Sequence, residues 1–229
     1  MNTILDNLKN KIIVSVQAMP SEPLYKEDCI IAMVQSVLTG GACGLRLAGA
    51  RDIKNVKKIT DTPVIGITKP ETLPKNWKNV VYITPSMKDV ELLVEAGADI
   101  IAVDGTSRKR SDENLLQIMD GIKKLGKLSM ADVATFEEGL MCRLLGADII
   151  STTLSGYTTE TEKKKSEKPD FELLKKLVKT LDCPIILEGR IWEPSEVKKA
   201  FEIGAHSVVI GSAITRPQLM TKRFVKAID

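Results

Sequence analysis

Short apolar runs alternate with amphipathic segments along the whole chain. The runs are KIIVSVQ (11–17), CGLRL (43–47), PVIGIT (63–68), DIIAVD (99–104), KLSMADV (127–133), DIISTTL (148–154), CPIILEG (183–189) and HSVVIG (206–211). Between them, segments 26–38, 86–96, 112–125, 136–145, 170–181 and 194–203 repeat their apolar residues at helical spacing, and 51–59 reads as a shorter helix. Strands that are apolar almost throughout, separated by helices, predict a parallel sheet covered on both faces. The run VVYIT (80–84) has strand composition but no helix before it, so it reads as part of the connection after the third strand.

A second rhythm overlies the first. GGACGLRL, AGADIIAV, LGADIIST and IGAHSVVI each set a Gly-Ala pair just before a strand, at Ala42, Ala98, Ala147 and Ala205. The glycine suits a left-handed helix cap, and the alanine permits tight entry to the strand. Each interval of roughly fifty residues holds two strand–helix units. Four such pairs make eight strands, which predicts a single α/β domain over residues 1–229, an eight-stranded parallel (β/α)8 TIM barrel. A doubly wound open sheet is the alternative, although no GxGxxG follows the first strand to support a dinucleotide fold.

Composition narrows the partners. The 229 residues are 43% hydrophobic and 28% charged, with a formal net charge of +3. That balance offers no dominant basic stripe for nucleic acid. The densest basic runs, Arg108-Lys109-Arg110 and Lys163-Lys164-Lys165, read as solvated surface. Cys29, Cys43, Cys142 and Cys183 form no CxxC pair and His206 is the one histidine, so no metal site is expected and the cysteines read as reduced core residues. No apolar run is long enough to span a bilayer, and the first residues show no signal-peptide pattern, which points to a cytoplasmic address without a membrane partner.

In barrels of this kind chemistry gathers at the C-terminal ends of the strands. Read in order, those ends are Gln17, Arg46, Lys69, Asp104, Asp132, Thr152 with Thr153, Glu188, and Gly211-Ser212. Most lysines are surface residues. Lys69, however, follows an apolar strand at once and shares its inferred level with Glu188 across the mouth. Asp132 reads as a site residue or as a cap for the next helix, Asp104 as a site or a turn residue, and Gln17 as a site residue or polar filler. Arg46, set among leucines, calls for an anion or a carboxylate partner. His206 begins a strand at the opposite end and reads as structural. The loops EGRIWEP (188–194) and IGSAITRP (210–217) follow strands seven and eight, where backbone N–H groups often hold phosphate. Gly189, Arg190, Gly211, Ser212 and Arg216 are their candidate groups.

IIVSVQAMPSEPL, PVIGITK, SMADVAT, TTLSGYT, LEGRIWEP and GSAITRP, in this order and spacing, resemble the N-acetylmannosamine-6-phosphate 2-epimerases over nearly the whole chain. The resemblance implies an eightfold barrel without cofactor that interconverts N-acetylmannosamine 6-phosphate and N-acetylglucosamine 6-phosphate in amino sugar (sialic acid) catabolism. It places the catalytic groups on Lys69 and Glu188. It gives Gln17, Arg46, Asp132 and Arg216 roles in binding substrate or supporting the chemistry, with Thr153 at the end of the sixth strand a further substrate-binding candidate, and it suggests a homodimer. In that reading Lys69 removes the proton at carbon 2 and Glu188 returns or shuttles one, with the face served by each left open. A Schiff-base aldolase and a non-catalytic phosphosugar-binding barrel are the rival readings.

Overall fold

The computed structural model describes residues 3–110, 113–162 and 167–228. Its strands are β1 (Lys11–Val16), β2 (Gly44–Ala48), β3 (Val64–Ile67), β4 (Ile100–Asp104), β5 (Leu128–Asp132), β6 (Ile149–Ser151), β7 (Ile185–Glu188) and β8 (Ser207–Ile210). They pair in chain order, all parallel, and β8 closes onto β1. The sheet is therefore the closed (β/α)8 barrel and not the open alternative. The helices are α1 (Thr3–Leu8), α2 (Glu27–Thr39), α3 (Ala50–Val56), α4 (Met87–Glu95), α5 (Leu115–Lys124), α6 (Phe136–Leu144), α7 (Phe171–Thr180), α8 (Pro194–Ile203), α9 (Ser212–Thr215) and α10 (Pro217–Val225). Among the described residues no helix is long and apolar enough to cross a membrane.

The strands separate their side chains with period two. One set, including Val14, Leu45, Val64, Ile101, Ala131, Ile150, Leu187 and Val208, forms a single buried cluster with the helices. The other set fills the barrel: Ile13, Ile65, Ile67, Ile100, Met130, Ile149, Ile186 and Val209 make a separate apolar cluster. Stepping two residues on from Ile13, Ile67, Met130, Ile149, Ile186 and Val209 leads to Ser15, Lys69, Asp132, Ser151, Glu188 and Gly211. The barrel interior is thus aliphatic at mid-height and polar at its C-terminal mouth.

The other end is plugged. α1 sends Leu8 into the interior cluster with 1% of its surface exposed. A Cβ on Gly44 would lie 2.7 Å from Leu8 Cδ2, so that glycine makes room for the plug. His206 ties the plug to β8, its Nε2 lying 2.9 Å from the Leu5 carbonyl while Asn10 N–H donates to the His206 carbonyl at 2.7 Å. The four glycines of the Gly-Ala repeat, Gly41, Gly97, Gly146 and Gly204, all have positive φ, as left-handed caps require.

Several expectations shift. The short helix over 51–59 ends at Val56. VVYIT contributes one isolated bridge, Val80 to Lys109, within a long connection. The first residue of the segment expected at 112–125, and the basic run 163–165, lie outside the described residues. All four cysteines are unpaired; Cys142 is fully buried and Cys183 is partly buried against the core, while Cys29 and Cys43 are partly buried outside it, which corrects the assignment of those two to the core. Burial pushes the Cys142 thiol up to about 12.

Replacing Leu8 by alanine removes the plug's apolar end and should lower unfolding free energy by about 2–5 kcal/mol, read as a lower urea midpoint with an unchanged slope.

Candidate active site

Arg46 forms the floor of the mouth. It lies on β2 with 1% of its side chain exposed, between Ser15 on β1 and Ile65 on β3. Both terminal nitrogens bind the Asp132 carboxylate of β5, with Nη1 donating to Oδ1 at 3.0 Å and Nη2 to Oδ2. Nη1 also donates to Glu188 Oε2 of β7 at 2.6 Å. Burial works against the guanidinium charge, but Asp132 and then Glu188 outweigh it and the Arg46 pKa is raised. Thr153 Oγ1 joins the same cluster, 2.8 Å from Asp132 Oδ1 and 3.1 Å from Glu188 Oε2. Thr152 clamps the Glu188 backbone from the neighbouring strand, accepting from its N–H at 3.1 Å and donating to its carbonyl at 3.0 Å.

Above this floor lies a cavity of about 300 Å³. Lys69, Gln17, Thr153 and Glu188 line it, as do Gly189, Arg190, Gly211, Ser212 and Arg216. Arg46 and Asp132 do not: they sit beneath Glu188 and reach the cavity through it. Lys69 Nζ donates to Gln17 Oε1 at 3.0 Å, and Gln17 Nε2 donates to Ser15 Oγ at 2.8 Å. Burial, followed by repulsion from Arg46, lowers the Lys69 pKa to about 8. Burial raises the Glu188 pKa against the pull of Arg46. The site therefore holds an amine that loses its proton easily and a carboxyl group that keeps its proton longer than an exposed one would.

The phosphate-loop candidates divide. Arg216 pairs with Glu22 of the β1–α2 connection at 3.1 Å, and Glu22 is held by the Met19 N–H at 2.7 Å. The Arg190 guanidinium is bound to the carbonyls of Lys168 and Ser155 and lies 5.6 Å from the centre of the Tyr157 ring. It braces the β6–α7 connection from the edge of the cavity.

Asp104 is structural. It is fully buried, pairs with Arg108, and accepts from Thr106 N–H at 3.0 Å and Thr106 Oγ1 at 2.6 Å. The Arg108-Lys109-Arg110 run is accordingly not solvated as a whole: Arg108 has 7% side-chain exposure, and Arg110 donates to the Asp104 carbonyl. A buried carboxylate demands a countercharge, and this loop supplies it. Arg108 then donates to the Trp77 carbonyl at 2.8 Å and lies 5.7 Å from the Tyr82 ring centre. Sequence reasoning missed Tyr82, Tyr157, Trp192 and Glu22 because each lies in a connection, away from the strand ends; the one available signal was that Tyr and Trp total only five in the chain. Among the described residues no group of three or more His, Cys, Asp or Glu is placed to hold a metal ion.

The model of the NanE family, described as "Putative N-acetylmannosamine-6-phosphate epimerase", matches residues 30–229. The chain belongs to this family. It is 45% identical over 228 residues to a "Putative N-acetylmannosamine-6-phosphate 2-epimerase" of Clostridioides difficile, covering 99% of each chain. The solved structure of the N-acetylmannosamine-6-phosphate 2-epimerase from Clostridium perfringens superposes with a TM-score of 0.92 at 45% identity, over 98% of this chain and 96% of that one. Thiamine phosphate pyrophosphorylase from Pyrococcus furiosus, with a TM-score of 0.59 and 16% identity over 91% of this chain and 89% of that one, shares the fold alone. At the polar mouth of this chain Arg46 holds Glu188 by a hydrogen bond of 2.6 Å.

Arg46→Met should cost about 3–5 kcal/mol, since it strands two carboxylates. Pairing it with Asp132→Leu should recover much of that loss in chemical denaturation, because the second change removes one of the stranded charges.

Proposed function

We propose that the protein interconverts N-acetylmannosamine 6-phosphate and N-acetylglucosamine 6-phosphate, with Lys69 and Glu188 moving the proton at carbon 2. The observation that carries this is the shared cavity: a lysine whose pKa is lowered to about 8 and a glutamate whose pKa is raised line the same 300 Å³ space. Carbon 2 of the open-chain sugar lies beside the carbonyl carbon, so its proton is acidic only when the resulting enolate is stabilised. Lys69 in its neutral form accepts that proton. Glu188 delivers or relays one on the other face, its carboxyl oriented by Arg46 and Thr153. Taking up the proton makes Lys69 cationic, and that charge beside the developing enolate offsets its negative charge. Gln17 orients the lysine through its carbonyl oxygen.

The phosphate belongs at the β7–β8 side. Gly189, Gly211 and Ser212 leave backbone room there, and Arg216 adds charge. Fixing that end holds carbon 2 within reach of both proton-transfer groups. A lowered lysine pKa also suits a Schiff base, but membership of the epimerase family favours proton transfer; borohydride with substrate should trap no adduct.

Run in heavy water without added cofactor, the reaction should place deuterium at carbon 2 of the product; product free of deuterium there would falsify the mechanism. Lys69→Ala should lower kcat by about 10²–10⁴-fold while leaving the urea midpoint close to that of the wild type. A base must be deprotonated to act, so kcat/KM should rise as pH passes through about 8 and lose that limb in the alanine variant.

The reading extends to a homodimer. α10 has no fully buried residue, and the C-terminal segment exposes Phe224 at 70%, Val225 at 50% and Ile228 at 87%. Beside α2 and α9 lies an apolar groove of about 580 Å³ lined by Ile12, Val14, Leu24, Met33, Val37 and Ile214 among others. In this reading the C-terminal segment of one copy packs into the groove of the other. Sedimentation should give a dimer for the wild type and a monomer for Phe224→Asp.

A further inference from the structure

The cavity has two unlike walls. Lys69, Gln17, Glu188, Gly211, Ser212 and Arg216 bring the charged and polar groups to one wall, most of it from β1, β7, β8 and their connections, with Val209, Ile191 and Trp192 between them. Tyr82, Ile83, Leu154 and Tyr157 make the other. They come from the β3–α4 and β6–α7 connections. These two connections meet over β4 and β5, across the closed barrel from β8 and β1. Asp104 N–H donates to the Ile83 carbonyl at 3.3 Å and Leu154 N–H to the Val133 carbonyl at 3.1 Å, so the two residues are pinned to the ends of those strands. Thr159 N–H donates to the Lys78 carbonyl and Lys78 pairs with Glu162, which joins the two connections directly.

This wall is apolar and firmly built. Ile83 and Leu154 each have 2% exposure and belong to the barrel's interior cluster, with Tyr82 and Tyr157 packed on it. Tyr82 is fixed from behind by Trp77, edge-on at 6.2 Å, and by Arg108, itself anchored on buried Asp104. None of the groups assigned to proton transfer or to the phosphate lies on this wall, so it can meet another part of the ligand.

We infer that Tyr82, Ile83, Leu154 and Tyr157 form the subsite for the N-acyl group of the substrate and limit its length to a short, unbranched chain. This rests on the proposed function, which puts the phosphate at the β7–β8 side. The acylated nitrogen is on carbon 2, four carbons from the phosphorylated carbon 6. With carbon 2 held between Lys69 and Glu188, the acyl methyl lands on the wall away from the phosphate. A small apolar tip against aliphatic and aromatic carbon is a favourable match, and an added methylene meets a surface already packed to the core.

The test compares mannosamine 6-phosphates carrying N-acetyl, N-propanoyl and N-butanoyl groups, on the wild type, Leu154→Ala and the milder Leu154→Val. The wild type should lose about tenfold in kcat/KM for each added methylene. Leu154→Ala should shift the N-butanoyl to N-acetyl ratio about tenfold toward the longer chain, with Leu154→Val shifting it less. Inhibition by inorganic phosphate should stay at the wild-type level in both variants, since the phosphate end is untouched. If the alanine variant does not fold, the ratio in the valine variant decides. An unchanged ratio in variants that still turn over the N-acetyl substrate overturns the subsite and leaves the epimerase reading standing. A wild type that turns over none of the three sugars overturns that reading itself.

Discussion

A guanidinium with almost no access to water sits at the heart of this barrel, and its neighbours are arranged around the need to neutralise it. Isolated, such a charge would cost many kcal/mol to bury. Arg46 is made tolerable by a two-pronged bond to Asp132 and a single bond to Glu188, contributed by strands that come together only when the barrel closes. Asp132 takes both terminal nitrogens, so it fixes the orientation of the planar group. Glu188 is left with a short bond on one oxygen and a face toward the cavity. Burial, and after it the same positive charge, makes protonation of Lys69 less favourable. One buried cation thus positions the carboxyl group and loosens the proton on the amine.

The gradient inside the barrel follows from the same constraint. Aliphatic layers at mid-height and the Leu8 plug below exclude water, which strengthens every electrostatic interaction above them. The polar layer begins where the inward-facing positions reach the strand ends. Beyond it, short loops after β7 and β8 bring glycine backbone to the cavity, while the long connections after β3 and β6 bring carbon-rich side chains over the opposite side. A second buried carboxylate, Asp104, has its own cation in Arg108 and organises this roof and no proton transfer. The mouth therefore contains two buried ion-pair systems in different places, one beneath Glu188 and one behind the wall.

The overall fold was legible because it is written in periodicities. Eight apolar runs, helical spacing between them and a Gly-Ala pair before every second strand are local facts, and each reports a local physical demand: continuous burial of a parallel strand, or a left-handed cap. The meeting of Lys69 and Glu188 in one cavity was legible for a related reason. A charged residue directly after an apolar strand marks the level of the mouth, whatever the other strands do. Arg46 was correctly expected to need a carboxylate, although the sequence did not say which.

Neighbour relations were the part that needed the closed structure. Asp104 and Asp132 are side by side on adjacent strands, yet one anchors a loop and the other shares Arg46 with Glu188, because only Asp104 has an arginine four residues on to capture it. The Arg108 run looked like solvated surface because charge density in one dimension carries no information about a buried partner. Tyr82 and Tyr157 lie in connections whose paths over the mouth depend on pairings such as Lys78 with Glu162, between residues far apart in the chain. By itself the sequence determined the strand set, the barrel and the level of the chemistry, since these follow from burial patterns within short segments. The partners of each charge, and which loop roofs the cavity, were decided by tertiary structure, because electrostatic and packing contacts act across space between segments that no local pattern connects.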